Sequence, residues 1–247
     1  MKNKVVKGIV IAAFWILLWQ VISMSINQSL IIVSPYNTVK RLFTLLGEAK
    51  FYEAVGTSIF HIATGFFTAV LIGSLLAVLA RLVPVVYDFL SPLLSILKAT
   101  PVASFTLIMF FWVKGRHLSI LVSFIMVLPM IFFALYEGIG AADKKLLEMA
   151  KVFKVPMRKQ IKEIYLPAAA PSLVSSASVA VGFAWKSGVA AEVIAISDKS
   201  VGGLLYNAKL MLESEDVFAI TAAIVIISKL VEILTIKLLK RSERSVV

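Results

Sequence analysis

Six stretches of this chain are apolar for about the length a helix needs to cross a bilayer, roughly 20 residues. They set the fold class before any other feature, because in hydrocarbon every backbone N–H and C=O must be satisfied inside the segment. The first is 8–26, GIVIAAFWILLWQVISMSI; the second is 54–80; the third lies within 86–112. The fourth is 117–136, the fifth 168–196, rich in Ala, Ser and Gly, and the sixth 217–239. The third is expected to be broken by Pro92 and again at Thr100-Pro101, giving two half-length pieces. The first follows Lys2, Lys4 and Lys7 like a signal peptide, but no A-x-A-like cleavage site follows. It reads as a retained helix.

Composition agrees. Of 247 residues, 60% are apolar and 16% charged, where soluble domains run near 25% charged. That excludes an ordinary soluble enzyme, a disordered tail and a nucleic-acid module. With no cysteine and two histidines, His61 and His117, far apart, a thiolate nucleophile, a cysteine–zinc site or a histidine cluster is not expected. The net charge of +11 is explained by topology. With the N-terminus inside, fifteen basic residues fall on the cytoplasmic side: Lys2, Lys4, Lys7, Arg81, seven in 137–166, and Lys237, Lys240, Arg241 and Arg244. Seven fall outside (Lys40, Arg41, Lys50, Lys114, Arg116, Lys199, Lys209), and Lys98, Lys186 and Lys229 lie within apolar runs. The reading is one all-α, polytopic membrane domain over 1–247 with both termini cytoplasmic. Two non-spanning stretches face outside, 27–50, with a short interfacial helix after Pro35, and 197–216, with Gly202-Gly203 and an acidic run.

The loop 137–167, EGIGAADKKLLEMAKVFKVPMRKQIKEIYLP, is too charged to span. It reads as two short amphipathic helices. Asp143 caps the first, whose apolar face is Leu146, Met149, Ala150 and Phe153. Pro156 suits the first turn of the second, with Met157, Ile161, Ile164 and Tyr165 on one face and Leu166-Pro167 as its end. Periodicity alone leaves two readings open: a helix pair on the lipid surface, or a helix that inserts into a groove of a soluble partner.

Glu148-Met149-Ala150 followed by Leu166-Pro167 resembles the EAA loop of ABC-importer permeases. The segments around Phe111-Trp112, Leu128-Pro129, 143–150, AWKSGVAAEVIA at 184–195 and GGLLYNAKLMLESEDVFA at 202–219 resemble the sulfonate, nitrate, taurine and thiamine-precursor branch of that family. The likeness runs from about Leu18 to the C-terminus and implies a MetI-like fold of about six transmembrane helices. Two positions depart from the motif. Met149 replaces its middle Ala, and Lys154 stands where the family has glycine. The turn at Lys154-Val155-Pro156 is therefore expected to differ, and no glycine role is carried onto Lys154.

The resemblance implies an importer subunit of a bacterial inner membrane that forms the pathway for a small, anionic organic solute. Its expected partners are a second permease copy, a cytoplasmic ATPase dimer carrying ATP and Mg, an external substrate-binding protein and membrane lipid. The chain itself has no P-loop, since no glycine is followed by lysine, and no cofactor, metal or catalytic residue is expected in it. By that analogy the coupling element comprises Asp143, Leu147, Glu148, Met149, Ala150, Phe153, Lys154, Leu166 and Pro167, with Glu148 and Ala150 as its most directly matched contacts.

Small residues let helices approach and slide. Gly65, Ala69, Gly73 and Ala77 form one stripe at i, i+4 spacing, read equally as static packing or as a sliding face. Ser172, Ser176, Ala180, Ala184 and Gly188 form another, read as lining the pathway or a dimer interface. Lys98 and Thr100 at the third-span break, and Lys186 on the fifth span, are further pathway candidates. Glu192 reads as a pairing or capping residue near the outer end, Lys229 and Glu232 as a local pair, and His61 as a core residue. An intramembrane protease would need a Gly-x-Ser-Gly-type nucleophile with histidine, or H-E-x-x-H, and neither occurs. A transporter or channel that works without ATP is the alternative, and it has no need of the cytoplasmic helix pair.

Overall fold

A computed structural model describes residues 2–113 and 115–244, with side chains described for 6–113, 115 and 117–237. The placement of Lys114 and the side chains of Lys2, Lys4, Arg116, Lys240, Arg241 and Arg244 lie outside the described residues. The described residues form helices and connecting turns: α1 (Lys2–Ile26), α2 (Pro35–Leu45), α3 (Ala49–Leu82), α4 (Pro84–Ala99), α5 (Val102–Phe110) and α6 (Arg116–Gly140). There follow α7 (Lys144–Val152), α8 (Met157–Gln160), a π-turn (Ile161–Tyr165), α9 (Leu166–Ala195), α10 (Val201–Leu210) and α11 (Ser214–Arg244). Among the described residues five helices are long and apolar enough to span, and α4 with α5 meets the same length and composition only as a pair bent by 104°.

The bend sits at Thr100-Pro101 alone. Thr100 is extended at φ −73°, ψ 130°, as a residue before proline prefers, and its Oγ1 donates to the Ile96 carbonyl at 2.8 Å. Pro92, expected to break the span, stays inside α4. Its ring is exposed, and a proline inside a spanning helix is tolerated where neighbouring groups re-satisfy the backbone. Leu166-Pro167 likewise ends no helix. The chain runs as one continuous helical segment over Met157–Ala195, because the preceding turn widens to a π-turn in which Leu166 N–H bonds the Ile161 carbonyl. Such a bulge absorbs the proline that an α-turn would reject.

The core is a three-helix crossing of α3, α6 and α9, filled by Ile62, Phe66, Val127, Ile131, Phe132, Ala180 and Ala184. The approach is close enough to demand glycine at two points. A Cβ on Gly65 would stand 2.4 Å from the Ile120 carbonyl oxygen, and one on Gly188 2.5 Å from Ile62 Cγ1. The stripe of Gly65, Ala69, Gly73 and Ala77 is buried and meets α6, where a Cβ on Gly73 would lie 3.3 Å from Ile131. His61 is buried beside Phe60. The α6–α9 seam is completed by hydroxyls. At the other end of the crossing α2, α3, α10 and α11 share a second cluster around Phe51, Val201, Ala208 and Ile220. Helix α1 is held at its C-terminal end, where Ser23 Oγ donates to the Ile32 carbonyl at 3.3 Å and Trp19 stacks on Phe218 of α11 at 6.1 Å.

Candidate coupling loop and transport pathway

Helix α7 starts where the sequence places it: Asp143 accepts from Lys145 N–H at 2.8 Å. Its exposed side carries Leu146, Glu148, Met149, Val152 and Phe153, with Phe153 73% exposed. Ala150 does not belong to that side. It is 2% exposed, and Leu147 is half-buried beside it in the helix. The sequence face of Leu146, Met149, Ala150 and Phe153 is therefore split, with Ala150 turned into the chain and the three larger residues outward. Ala150 therefore packs within the chain.

The turn after α7 closes on Lys154. Lys154 takes φ 49°, the left-handed conformation a glycine adopts without strain. Val155 N–H bonds the Ala150 carbonyl at 2.9 Å and Lys154 N–H the Lys151 carbonyl at 3.2 Å, which is the helix-ending pattern of a left-handed cap. The lysine bears the cost of this conformation, about 1–2 kcal/mol for a residue with a Cβ. Leu166 is exposed and Pro167 half-buried at the root of α9. The two roots of the loop touch: a Cβ on Gly138 of α6 would lie 2.9 Å from Ala169 Cα of α9.

The expected pathway residues separate into two groups. Ser172 Oγ donates to the Ala134 carbonyl at 2.9 Å and Ser176 Oγ to the Met130 carbonyl at 3.0 Å, both on α6. Ala180 and Ala184 are buried, and Gly188 packs on Ile62 and Ser123. These five positions make contacts within the chain. The side that α9 leaves open carries Ser175, Val179, Phe183 and Lys186 instead. Lys98 is exposed on α4, and Thr100 is half-buried at the bend. Lys229 and Glu232 pair at 2.8 Å as their spacing implies.

The most organised polar site involves a residue given only a general pairing or capping role. Glu192 on α9 is fully buried and accepts from Ser58 Oγ of α3 at 2.7 Å, from Ser119 Oγ of α6 at 3.5 Å and from Gly202 N–H at 3.1 Å. Ser58 Oγ in turn accepts from Val201 N–H at 2.9 Å, and Ser200 Oγ from Gly203 N–H at 3.0 Å. The first three N–H groups of α10 thus find three side-chain acceptors, supplied by α3, α9 and its own N-cap. A helix start leaves these donors without intrahelical partners, and its partial positive charge favours a carboxyl group. The fit is tight, since a Cβ on Gly202 would fall 2.4 Å from Glu192 Cβ. Glu192 therefore caps a helix from another element and joins α3, α6, α9 and α10 at one point. Ser200 ahead of Gly202-Gly203 was the sequence signal for a helix start; nothing local announced Ser58 or Ser119.

At the same end Arg41 of α2 forms a forked pair with Asp216 of α11, Nη2 to Oδ2 at 2.9 Å, and reaches Glu48 at 3.2 Å. The hydrogen bond that Arg41 donates to Asp216 holds the guanidinium above its ordinary pKa. Lys199 bonds Glu53 at 2.9 Å on the surface, and that hydrogen bond raises its pKa.

Residues 69–246 match the family described as the inner membrane component of binding-protein-dependent transport systems. Among curated proteins, the chain is 27% identical over 241 residues to the aliphatic sulfonates transport permease protein SsuC of Bacillus subtilis, covering 95% of this chain and 87% of the relative. It is 24% identical over 221 residues to the taurine transport system permease protein TauC of Escherichia coli, covering 87% and 80%. The nitrate import permease protein NrtB of Synechocystis is 24% identical over 216 residues, covering 83% and 77%. Two solved structures share the fold. One is the inward-facing MetNI methionine ABC transporter, with TM-score 0.60, 16% identity and coverage of 79% and 94%. The other is a bacterial ABC transporter involved in the import of the polysaccharide alginate, with TM-score 0.61, 14% identity and coverage of 99% and 96%.

Proposed function

Because the chain belongs to the family of inner membrane components of binding-protein-dependent transport systems, we propose that it is the permease of an ATP-driven importer for a small anionic solute. The chemical class is drawn from relatives named for aliphatic sulfonates, taurine and nitrate. The pathway residues in this reading are Lys98, Thr100 and Lys186, with Ser172, Ser176, Ala180, Ala184 and Gly188 holding the wall behind them. A lysine within a span is costly, and it repays that cost where it attracts an anion.

The observation that carries the coupling assignment is the outward side of α7. Leu146, Met149, Val152 and Phe153 stand exposed on a segment too charged to enter the bilayer. An amphipathic helix presented in this way fits a groove on a soluble partner. That partner is a cytoplasmic ATPase dimer that binds ATP and Mg. An external binding protein delivers solute, and a second copy of this chain completes the pore. The loop end of the molecule is then cytoplasmic, with both termini on the same side of an inner membrane.

The test is uptake in vesicles with ATP withheld and the ion gradient clamped. Uptake that stops without ATP, and that Glu148→Arg abolishes while the permease still inserts, supports the reading. Uptake that persists without ATP makes the chain a secondary transporter and removes the ATPase from its mechanism.

A further inference from the structure

Beside the roots of the loop, one side chain from α3 grips the end of α6. Arg81, in the last turn of α3, donates from Nε to the Tyr136 carbonyl at 2.8 Å and lays its Cζ 3.8 Å from the centre of the Tyr136 ring. The same ring stacks on Tyr87 of α4 at 4.2 Å and 17°. The guanidinium lies flush on the backbone of Gly140, where a Cβ would sit 1.7 Å from Nη2. Gly140 is the last residue of α6, three before the Asp143 cap of α7. A cation suits this position, because the end of α6 gathers carbonyl partial charge. A planar guanidinium can stack and donate at once, which an ammonium cannot.

We propose that Arg81 is a positioning residue that passes displacement of α7 from the end of α6 into α3. The inference rests on the reading of α7 as the ATPase dock. Three contacts converge on the last two turns of α6. Gly138 bears on Ala169 of α9, Arg81 joins α3, and Tyr87 joins α4. A load arriving at α7 reaches α9 both through the loop and through the Gly138 contact. At this end of the crossing, α3 receives it through Arg81. From Arg81, α3 runs 25 residues to Gly56, about 37 Å at the helical rise, which carries the motion to the α10 end.

The test uses the complete importer, permease with its ATPase, in nanodiscs. The chain has no cysteine, so single cysteines take an environment-sensitive fluorophore cleanly. A near reporter at Lys151 stands exposed on α7, outside the residues read as the dock. A far reporter replaces Gly56, whose Cβ position is open space. In the parent protein both report ATP and Mg addition. Arg81→Gln, Tyr136→Ala and Gly140→Ala, the last of which displaces the guanidinium without altering it, should keep the near signal and lose the far one. Tyr136→Phe, which preserves the ring and the carbonyl acceptor, should keep both. A far signal that survives Arg81→Gln and Gly140→Ala overturns the inference. Loss of both signals, or loss of the ATPase from the purified variant, assigns Arg81 to assembly and also overturns it. A parent protein whose near reporter ignores ATP refutes the docking reading itself.

Discussion

Replacing Glu192 by alanine removes the acceptor that holds the start of α10. Gly202 N–H and Ser119 Oγ lose their bonds to the carboxyl group, and Ser58 keeps only its bond from Val201 N–H. An orphaned buried donor costs about 1–3 kcal/mol, so the orphaned Gly202 amide and the lost hydroxyl contacts together amount to about 3 kcal/mol. That cost falls on the attachment of α10. At about 1.4 kcal/mol per decade, the detached population rises about a hundredfold. The assay is maleimide labelling of Val201→Cys, the fully buried first residue of α10, at reagent levels where reclosing outpaces reaction. Glu192→Ala should label about a hundredfold faster. Glu192→Gln should stay close to the parent rate, because its carbonyl accepts from Ser58 and Gly202 while its amide donates to the Ser119 oxygen. Equal rates for the alanine variant and the parent would refute the cap. Equally fast labelling of the glutamine variant would show that shape and hydrogen bonding are not what hold α10.

Other perturbations have signs set by the structure. Lys154→Gly removes left-handed strain and should slow amide exchange over 151–155, while the branched Lys154→Val should speed it, by about 1 kcal/mol of local stability in each direction. Gly65→Ala places a Cβ 2.4 Å from the Ile120 carbonyl and should destabilise the α3–α6 crossing by about 1–3 kcal/mol in detergent melts; an unchanged melt contradicts that packing. Lys186→Ala, on an exposed side chain, should leave melting within about 0.5 kcal/mol while uptake of an anionic solute falls. Loss of the folded chain would assign Lys186 to structure.

What could be read in the sequence, and what could not, follows from how far each signal reaches. Apolar run length is a local property, so the spans and the short helices at Pro35 and Asp143 were legible. Thr100-Pro101 broke its helix because the residue before proline is pushed extended. The same restriction acts on Ser91 before Pro92, yet α4 runs through that position. Leu166-Pro167 looked like a stop, yet a π-turn one residue earlier absorbs the proline. Lys154 looked like a lost glycine, although the helix-ending hydrogen bonds impose a left-handed turn on whichever residue stands there. The face of α7 was half right: periodicity finds an apolar side, but tertiary packing decided that Ala150 points inward. On α9, small residues marked the tight seam with α6 rather than the open side, as close packing prefers. The Glu192 cap was beyond reach, since Ser58 lies 134 residues away in sequence and Ser119 73.

The central claim is that α7 docks on an ATPase, and its exposed residues make that claim directly measurable. A single cysteine at Phe153, 73% exposed, is crosslinked in native membranes with a short thiol-to-amine reagent, and the adduct is identified by mass spectrometry. Docking on an ATPase gives an adduct with a soluble P-loop protein, lost on Glu148→Arg. Adducts confined to lipid at an efficiently labelled Phe153→Cys would contradict the claim and return α7 to the membrane surface.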